Sequence, residues 1–197
     1  MPQKNFYEST NLAGARMQEA VLCIFERPCI RLRTLALLCA MSKSSLHRRI
    51  SQLDYVHTHP GGGVYISGAH ERYLTMFSHF ENDKIYKILY LCRTKPTLDE
   101  IAFYTGREKH GLRNTMQLLV RDGCVEKDVR YQISKGMREV YDELLRNISA
   151  YIEELDKILT QENLRHAISY EQNKIEVEIM GRKKTVLPYR RLYELIS

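Results

Sequence analysis

The hydrophobic positions of the chain recur with a helical period in short runs, and one stretch shows how the runs are connected. A first short helix begins near Leu98 and reaches Gly106. A second helix follows, in which Leu112, Met116 and Leu119 are spaced so that they share one face. Beyond an Asp-Gly turn, the next apolar positions alternate and predict two short strands. The stretch therefore has the order helix, tight turn, helix and hairpin.

This order is typical of a winged helix-turn-helix, in which the second helix can lie in a DNA major groove and the hairpin can reach along the backbone. Over roughly residues 83–160 the chain resembles the winged-helix domains of bacterial regulators of the MarR and PadR type, although its wing is very short and carries Asp128. The resemblance implies DNA binding and dimerisation through helices that flank the wing. The motifs that carry it are Thr97-Leu98-x-x-Ile101-Ala102, Gly106, residues 118–125 and residues 131–136.

The same pattern occurs earlier in the chain. When the earlier copy is shifted so that Leu32 meets Leu98, the apolar positions of its three helices also coincide with those of the later copy. We therefore expect a mainly α protein with small β-wings, built from two tandem winged-helix domains at residues 1–81 and 82–136. Residues 1–15 are polar and small, and they predict a frayed arm or a short helix start.

Residues 137–162 form the longest periodic segment and predict one long acidic helix with a wide apolar stripe. Such a helix extends beyond a small winged-helix core, so we expect the stripe to form a homodimer interface, as the resemblance also implies. The alternative is that the stripe packs against the chain's own first domain. The stripe consists of Tyr141, Leu144, Ile148, Tyr151, Leu155 and Ile158.

Residues 163–197 change period and predict a small extension of strand, hairpin and helix. Ile175, Val177 and Ile179 alternate with charged residues, which is the pattern of a half-buried strand. The basic residues of the extension are compatible either with phosphate contact or with a solvated hairpin edge, and the sequence does not separate these alternatives. They are Arg182, Lys183, Lys184, Arg190 and Arg191.

The charge distribution favours nucleic acid as a partner. The net charge is +6 and the sequence pI is about 9.0, and the acidic segment 137–162 lies among basic ones. The outward faces of the two predicted recognition helices combine arginine, glutamine, asparagine, histidine and serine, which can contact base edges or phosphates of double-stranded DNA. The candidate DNA-binding residues are Ser44, Ser45, His47, Arg48, Arg49, Gln52, Arg107, Lys109, His110, Arg113, Asn114 and Gln117. Of these candidates, we slightly favour the residues of the first recognition helix as DNA contacts.

Other chemistry has little support in the sequence. There is no glycine-rich phosphate loop and no nucleophile or metalloprotease motif, so we expect neither an enzyme nor a cofactor. His57 and His59 share one side of a predicted strand and could hold zinc with Cys29, Cys39 or His70, but plain wing residues are the stronger interpretation and no metal is expected. A small-molecule effector beside Tyr141 and Tyr151 is a further hypothesis without a supporting motif.

The expected compartment is the cytoplasm. Five scattered cysteines without a C-x-x-C pair favour buried free thiols under reducing conditions. No apolar run is long enough to cross a bilayer, and the first residues lack the pattern of a secretory signal, so no membrane partner is expected.

Three functions remain open from the sequence. The first is a dimeric transcriptional regulator that binds specific DNA sites. The second is a plasmid or phage replication or partition protein that also binds DNA. The third is a tandem winged-helix scaffold that binds a protein, for which an acidic or apolar face on the recognition helix would be expected.

Overall fold

The computed structural model describes residues 14–68 and 70–197, and the fold in this part is mainly helical with small antiparallel sheets. The expected N-terminal arm therefore lies outside the described residues, except for Gly14 and Ala15. Ala15 begins the first helix, which continues to Glu26 and ends just before Pro28.

The first group of elements contains three helices and a three-stranded sheet. Ser42 caps the third helix by accepting a hydrogen bond from the Ser45 amide at 3.2 Å. The first strand pairs with the last, and Gly63 permits this approach because a Cβ there would lie 2.1 Å from the Cys29 carbonyl oxygen. The elements are α1 (Ala15–Glu26), β1 (Ile30–Arg31), α2 (Leu32–Leu38), α3 (Lys43–Ile50), β2 (Val56–Thr58) and β3 (Gly63–Ile66), with sheet order β1-β3-β2.

The second group repeats this order with one strand missing. Its second helix begins at Leu98, where α2 begins at Leu32, and its third helix begins at Lys109, where α3 begins at Lys43. Both starts are displaced by the spacing that the apolar pattern predicts. The elements are α5 (Asp83–Cys92), α6 (Leu98–Thr105), α7 (Lys109–Arg121), β4 (Val125–Lys127) and β5 (Tyr131–Ile133).

Pro96 explains the missing strand. It occupies the position that corresponds to Ile30 of β1, but proline has no amide hydrogen to donate to a neighbouring strand. One backbone hydrogen bond remains, from the Tyr131 amide to the Pro96 carbonyl oxygen at 3.0 Å. The second hairpin is therefore joined to its helices through fewer backbone contacts than the first.

The segment between the two groups has a helical pattern of apolar positions over residues 68–81. The structure has a short 3-10 turn at Glu71–Tyr73 followed by α4 (Leu74–Phe80). Just beyond it, the buried carboxylate of Glu81 accepts two hydrogen bonds from Arg27 at 2.6 and 3.1 Å. This charge-assisted pair attaches the connecting segment to the end of α1.

The prediction of one continuous helix over residues 137–162 is wrong. The segment forms α8 (Gly136–Arg146) and α9 (Ile148–Gln161), which meet at Asn147. Asn147 donates from its side chain to the Glu143 carbonyl oxygen at 2.9 Å, which satisfies one of the carbonyls that the end of α8 leaves free.

The C-terminal extension folds as β6 (His166–Glu171), β7 (Lys174–Ile179), β8 (Arg182–Val186) and α10 (Arg190–Ile196). The three strands form an antiparallel sheet in chain order. Ile175, Val177 and Ile179 are buried as their alternation predicts, whereas β6 was not foreseen. The inner face of the sheet therefore joins the hydrophobic core.

The apolar stripe of α8 and α9 is covered by the chain itself. Tyr151 packs edge-on against Phe25 of α1, with ring centroids 5.0 Å apart, and Tyr141 packs on Tyr193 of α10 at 5.8 Å. The prediction of a homodimer interface on this stripe is therefore wrong, and intramolecular packing, the alternative interpretation, accounts for it. The buried side chains are Tyr141, Leu144, Ile148, Tyr151, Leu155 and Ile158.

All five cysteines are buried and none forms a disulfide. Among the described residues, no helix has both the length and the apolar character required to cross a bilayer.

Candidate nucleic-acid interface

Helix α3 presents a polar, cationic face to solvent because its apolar residues all point inward. Leu46 and Ile50 are buried in the core beneath the helix. His47, Arg48 and Arg49 occupy the last turn and are exposed. The other predicted contact residues of this unit are also accessible: Ser44 and Gln52 are exposed and Ser45 is half-buried.

The cations of α3 have no intramolecular counter-charge in the described part of the chain. Neither Arg48 nor Arg49 forms an ion pair with a carboxylate there, and α3 contains no acidic residue. The nearest acidic residue along the chain is Asp54, which is exposed. A face of this kind attracts an external polyanion without first having to break an internal salt bridge.

Helix α7 also exposes its polar face, but two of its predicted contact residues are engaged within the chain. Lys109 pairs with Asp99 at 2.9 Å. Arg107, just before the helix, is half-buried and donates to the Thr115 hydroxyl at 3.2 Å. The remaining predicted residues, His110, Arg113, Asn114 and Gln117, are exposed.

The end of α7 is attached to the connecting segment. His79 lies with its Nε2 atom 2.7 Å from an Asp122 carboxylate oxygen, and both side chains are nearly buried. Burial opposes ionisation of Asp122, but the hydrogen bonds from Arg121 and His79 prevail and lower the pKa of that carboxyl. The contact fixes the C-terminal end of α7 against α4.

A groove of about 500 Å³ runs between α7 and the second hairpin, and the sequence interpretation missed two of its basic residues. Arg121 and Lys127 line it together with the predicted residues Arg113 and Gln117. The Lys127 ammonium lies 5.7 Å from the centre of the Tyr131 ring, a cation–π distance. Alternation along β4 puts Lys127 on the same side of the strand as the buried Val125, so only the fold shows that Lys127 lines a groove between the hairpin and the helix.

The first hairpin carries histidines that serve local contacts. The His57 ring lies against Tyr65 at 5.5 Å, and His59 Nδ1 accepts a hydrogen bond from the Gly61 amide at 3.1 Å. Cys29 donates its thiol to the Leu74 carbonyl oxygen, and His70 is buried among aromatic rings. Within the described ranges, no three histidine, cysteine or acidic side chains come together in a way that would hold a metal ion.

The basic residues of the C-terminal extension dock that segment onto the rest of the chain. Lys184 pairs with Glu19, and Arg190 pairs with the buried Glu26 at 3.3 Å. Arg191 bridges to Asp83 at 3.3 Å and lies near Glu81. Lys183 pairs across the sheet with Glu178, so only Arg182 of the five lacks a carboxylate partner in the described part. Phosphate contact by this group is therefore disfavoured.

The suggested effector pocket is not formed by Tyr141 and Tyr151, because both side chains are buried in the core. An open cavity of about 910 Å³ lies nearby, between the connecting segment and α8. Three of its polar side chains already pair with one another: Arg72 binds Glu143, whose second oxygen accepts from the Tyr73 hydroxyl at 2.6 Å.

Comparisons with known proteins give no family for this chain. No family model and no curated protein matches it. Among solved structures, the DIP2311 protein from Corynebacterium diphtheriae is 14% identical with a TM-score of 0.27, over 60% of this chain and 26% of that one. IdeR from T. acidophilum is 12% identical with a TM-score of 0.25, over 89% of this chain and 94% of that one. Both scores are too low to assign a fold or a function.

Proposed function

We propose that the chain is a sequence-specific double-stranded DNA-binding protein, built from two tandem winged-helix units and acting as a transcriptional regulator. The observation that carries the proposal is the outward face of α3. His47, Arg48 and Arg49 are exposed together on it, and neither arginine has a carboxylate partner among the described residues.

The chemistry of this face suits a major groove. An arginine guanidinium can donate two hydrogen bonds to the O6 and N7 atoms of guanine, which gives Arg48 or Arg49 a role in base reading. Gln52 can form the corresponding pair with adenine, and the hydroxyls of Ser44 and Ser45 can hold phosphates at the start of the helix. These contacts would set both the register and the sequence preference of the protein.

The first unit is proposed as the stronger reader. In the second unit Lys109 and Arg107 are already engaged by Asp99 and Thr115, so fewer side chains are free to contact a base. Arg113 and the neighbouring groove residues Arg121 and Lys127 would then mainly hold the phosphate backbone.

The test is a gel-shift measurement on a pool of random duplexes at several salt concentrations, followed by sequencing of the retained DNA. Binding should weaken steeply with salt, because neutralised phosphates release counterions. Arg48→Ala should weaken binding to the selected site by roughly 5- to 150-fold, the range for losing one bidentate base contact worth about 1–3 kcal/mol.

Arg165→Ala is the matched control, because Arg165 is an exposed arginine outside both units and also lacks an ion-pair partner in the described part. Equal effects of Arg48→Ala and Arg165→Ala, or the absence of any retained duplex, would contradict the proposal. Locating the selected motif in genomic DNA also separates a regulator from a replication or partition protein, since sites of the former would lie in promoters and sites of the latter in repeated origin sequences.

A further inference from the structure

The two units expose large apolar side chains at corresponding positions. On α2, Leu37 and Leu38 are 75% and 51% exposed. On α6, Phe103 and Tyr104 are 81% and 60% exposed, and their rings contact each other edge-on at 5.3 Å. Each pair lies at the end of the helix that precedes α3 or α7, and the two pairs are 66 positions apart in the chain. We call these surfaces the α2 patch and the α6 patch.

Exposure of this kind is not needed for packing of either unit. The inward sides of the same helices are filled by Leu35 and Ala36 on α2 and by Ile101 on α6, all of which are buried. A pair of large exposed apolar residues at the same place in both units therefore marks two surfaces that lack a cover within the described chain.

The charges beside the two patches are opposite. Arg33 precedes Leu37 by one helical turn and is exposed, and Arg31 is exposed next to the start of α2. At the corresponding position of α6, Asp99 lies one helical turn before Phe103, and Glu100 is the next residue after Asp99. Both carboxylates are exposed. Neither arginine has a carboxylate partner in the described part of the chain.

The acidic side chains have local partners that leave room for a second contact. Asp99 pairs with Lys109 at 2.9 Å, and Glu100 lies 3.6 Å from Arg130. Glu100 also accepts from the Thr97 amide at 2.6 Å in the cap of α6. Both carboxylates remain on the surface, where an additional arginine can approach them.

We propose that the α2 patch of one molecule binds the α6 patch of a second copy of the same chain, with the two helices side by side and parallel. In this arrangement Leu37 contacts Phe103 and Arg33 contacts Asp99, so an apolar residue faces an apolar residue and a charge faces its opposite. A pairing of two α2 patches would place unpaired arginines against arginines, and a pairing of two α6 patches would bring the carboxylates no cations beyond Lys109 and Arg130, with which they already pair. Charge therefore favours the unlike pair.

Such a contact joins two different surfaces, so it either closes into a ring or repeats as an open chain. The proposed assembly is the open chain, which leaves one patch of each kind unused at its ends. Only a few side chains take part, so the contact belongs to the small, transient class of interfaces. The proposal does not depend on DNA binding, and its tests are made without DNA.

The first test is sedimentation equilibrium of the full chain over a wide range of concentration. The average mass should rise continuously beyond that of a dimer, and it should fall when salt is added, because the charged contacts are exposed. Leu37→Glu and Phe103→Lys should each abolish this rise, since each puts a like charge into the contact. Met180→Glu, at an exposed apolar residue elsewhere, should leave it unchanged.

The second test mixes the two blocked variants. Leu37→Glu keeps an intact α6 patch and Phe103→Lys keeps an intact α2 patch, so the two variants should associate when they are mixed although neither associates alone. Circular dichroism of each variant should match that of the parent, which shows that the chains are folded. A parent that stays monomeric, a parent mass that stops at a dimer, or a mixture that does not associate would overturn the proposal.

Discussion

Ala40 and Gly106 adopt the same left-handed backbone conformation, with φ of 50° and 65°, at the turn between the second and third helices of their units. A second pair shows the same relationship, since Cys29 and Lys95 precede the corresponding first-strand positions with φ of 63° and 53°. Both pairs are separated by the spacing of the sequence repeat. The two units thus share the same backbone conformation at positions where their residue types differ.

The left-handed turn gives the first prediction. Ala40 has a Cβ atom, which makes this conformation unfavourable, whereas Gly106 does not. Ala40→Gly should raise the free energy of unfolding by about 0.5–1 kcal/mol, and Gly106→Ala should lower it by about 1 kcal/mol. Thermal unfolding would report this as shifts of roughly 2–4 °C per kcal/mol in a chain of this size. Shifts of the same sign for both variants would contradict the interpretation of the turn.

The close approach at Gly63 gives the second prediction. A methyl group there would lie 2.1 Å from the Cys29 carbonyl oxygen, so Gly63→Ala must separate β1 from β3 or shift the turn. We expect a loss of about 1–3 kcal/mol in the free energy of unfolding, the range for overpacking and strain. Chemical denaturation measures it.

Gly111 offers the matched control for Gly63. It lies within α7 and has nothing within 4 Å of the position of an added Cβ. Gly111→Ala should therefore stabilise the protein by about 1 kcal/mol through helix propensity. Destabilisation by both glycine substitutions would show that the effect at Gly63 is not a matter of space.

The third prediction concerns pH and rests on His70. The ring is buried among Phe77, Tyr151 and Tyr189, and neither of its nitrogens has a hydrogen-bond partner of normal geometry in the part of the chain that the structure describes. A backbone contact with Ile66 and, after it, the charge of Glu71 favour the protonated ring. Burial prevails and lowers the pKa of His70 from 6.5 to about 4.

The sign of the effect follows from the two pKa values. Between pH 6.5 and about 4 the unfolded chain binds a proton at His70 that the folded chain does not, so stability falls as the pH falls through this window. The loss attributable to the group is about 3 kcal/mol when complete. His70→Phe should remove this part of the pH dependence, as measured by denaturation at several pH values. His110→Gln, at an exposed histidine, should leave the pH dependence of stability unchanged. If His70→Phe loses stability with falling pH as the parent does, His70 is not the source of the effect.

Helices α3, α5 and α6 were predictable from the sequence because each has a clear inward face and a local signal at its start. Ser42, Asn82 and Thr97 all cap helices with their side chains, as residues of these types do where an apolar run begins. The strand β6 was not predictable in this way, because most of its residues are exposed and only Ile168 and Tyr170 form an alternating apolar pair.

The role of the apolar stripe in residues 137–162 could not be read from periodicity. A stripe shows that a helix is covered, but not what covers it. Here the break at Asn147 lets α8 pack on α10 while Tyr151 of α9 packs on Phe25, so one stripe serves two surfaces of the same chain. The outward faces of α3 and α7 were predictable, since exposure follows directly from the buried apolar residues, but the ion pair that occupies Lys109 depends on the tertiary fold.

Under the proposed DNA-binding function, the packing of α8, α9 and α10 would fix the spacing between the two halves of a DNA site. Tyr151 of α9 packs on α1 of the first unit, and α10 contacts α8 and α4 of the connecting segment. Helices α3 and α7 are therefore supported by one packed set of helices and not joined by a flexible linker. A DNA-binding protein of this construction would accept only one spacing between its two half-sites. One added base pair between its two half-sites would turn one of them by about 34° around the duplex axis, out of reach of its helix.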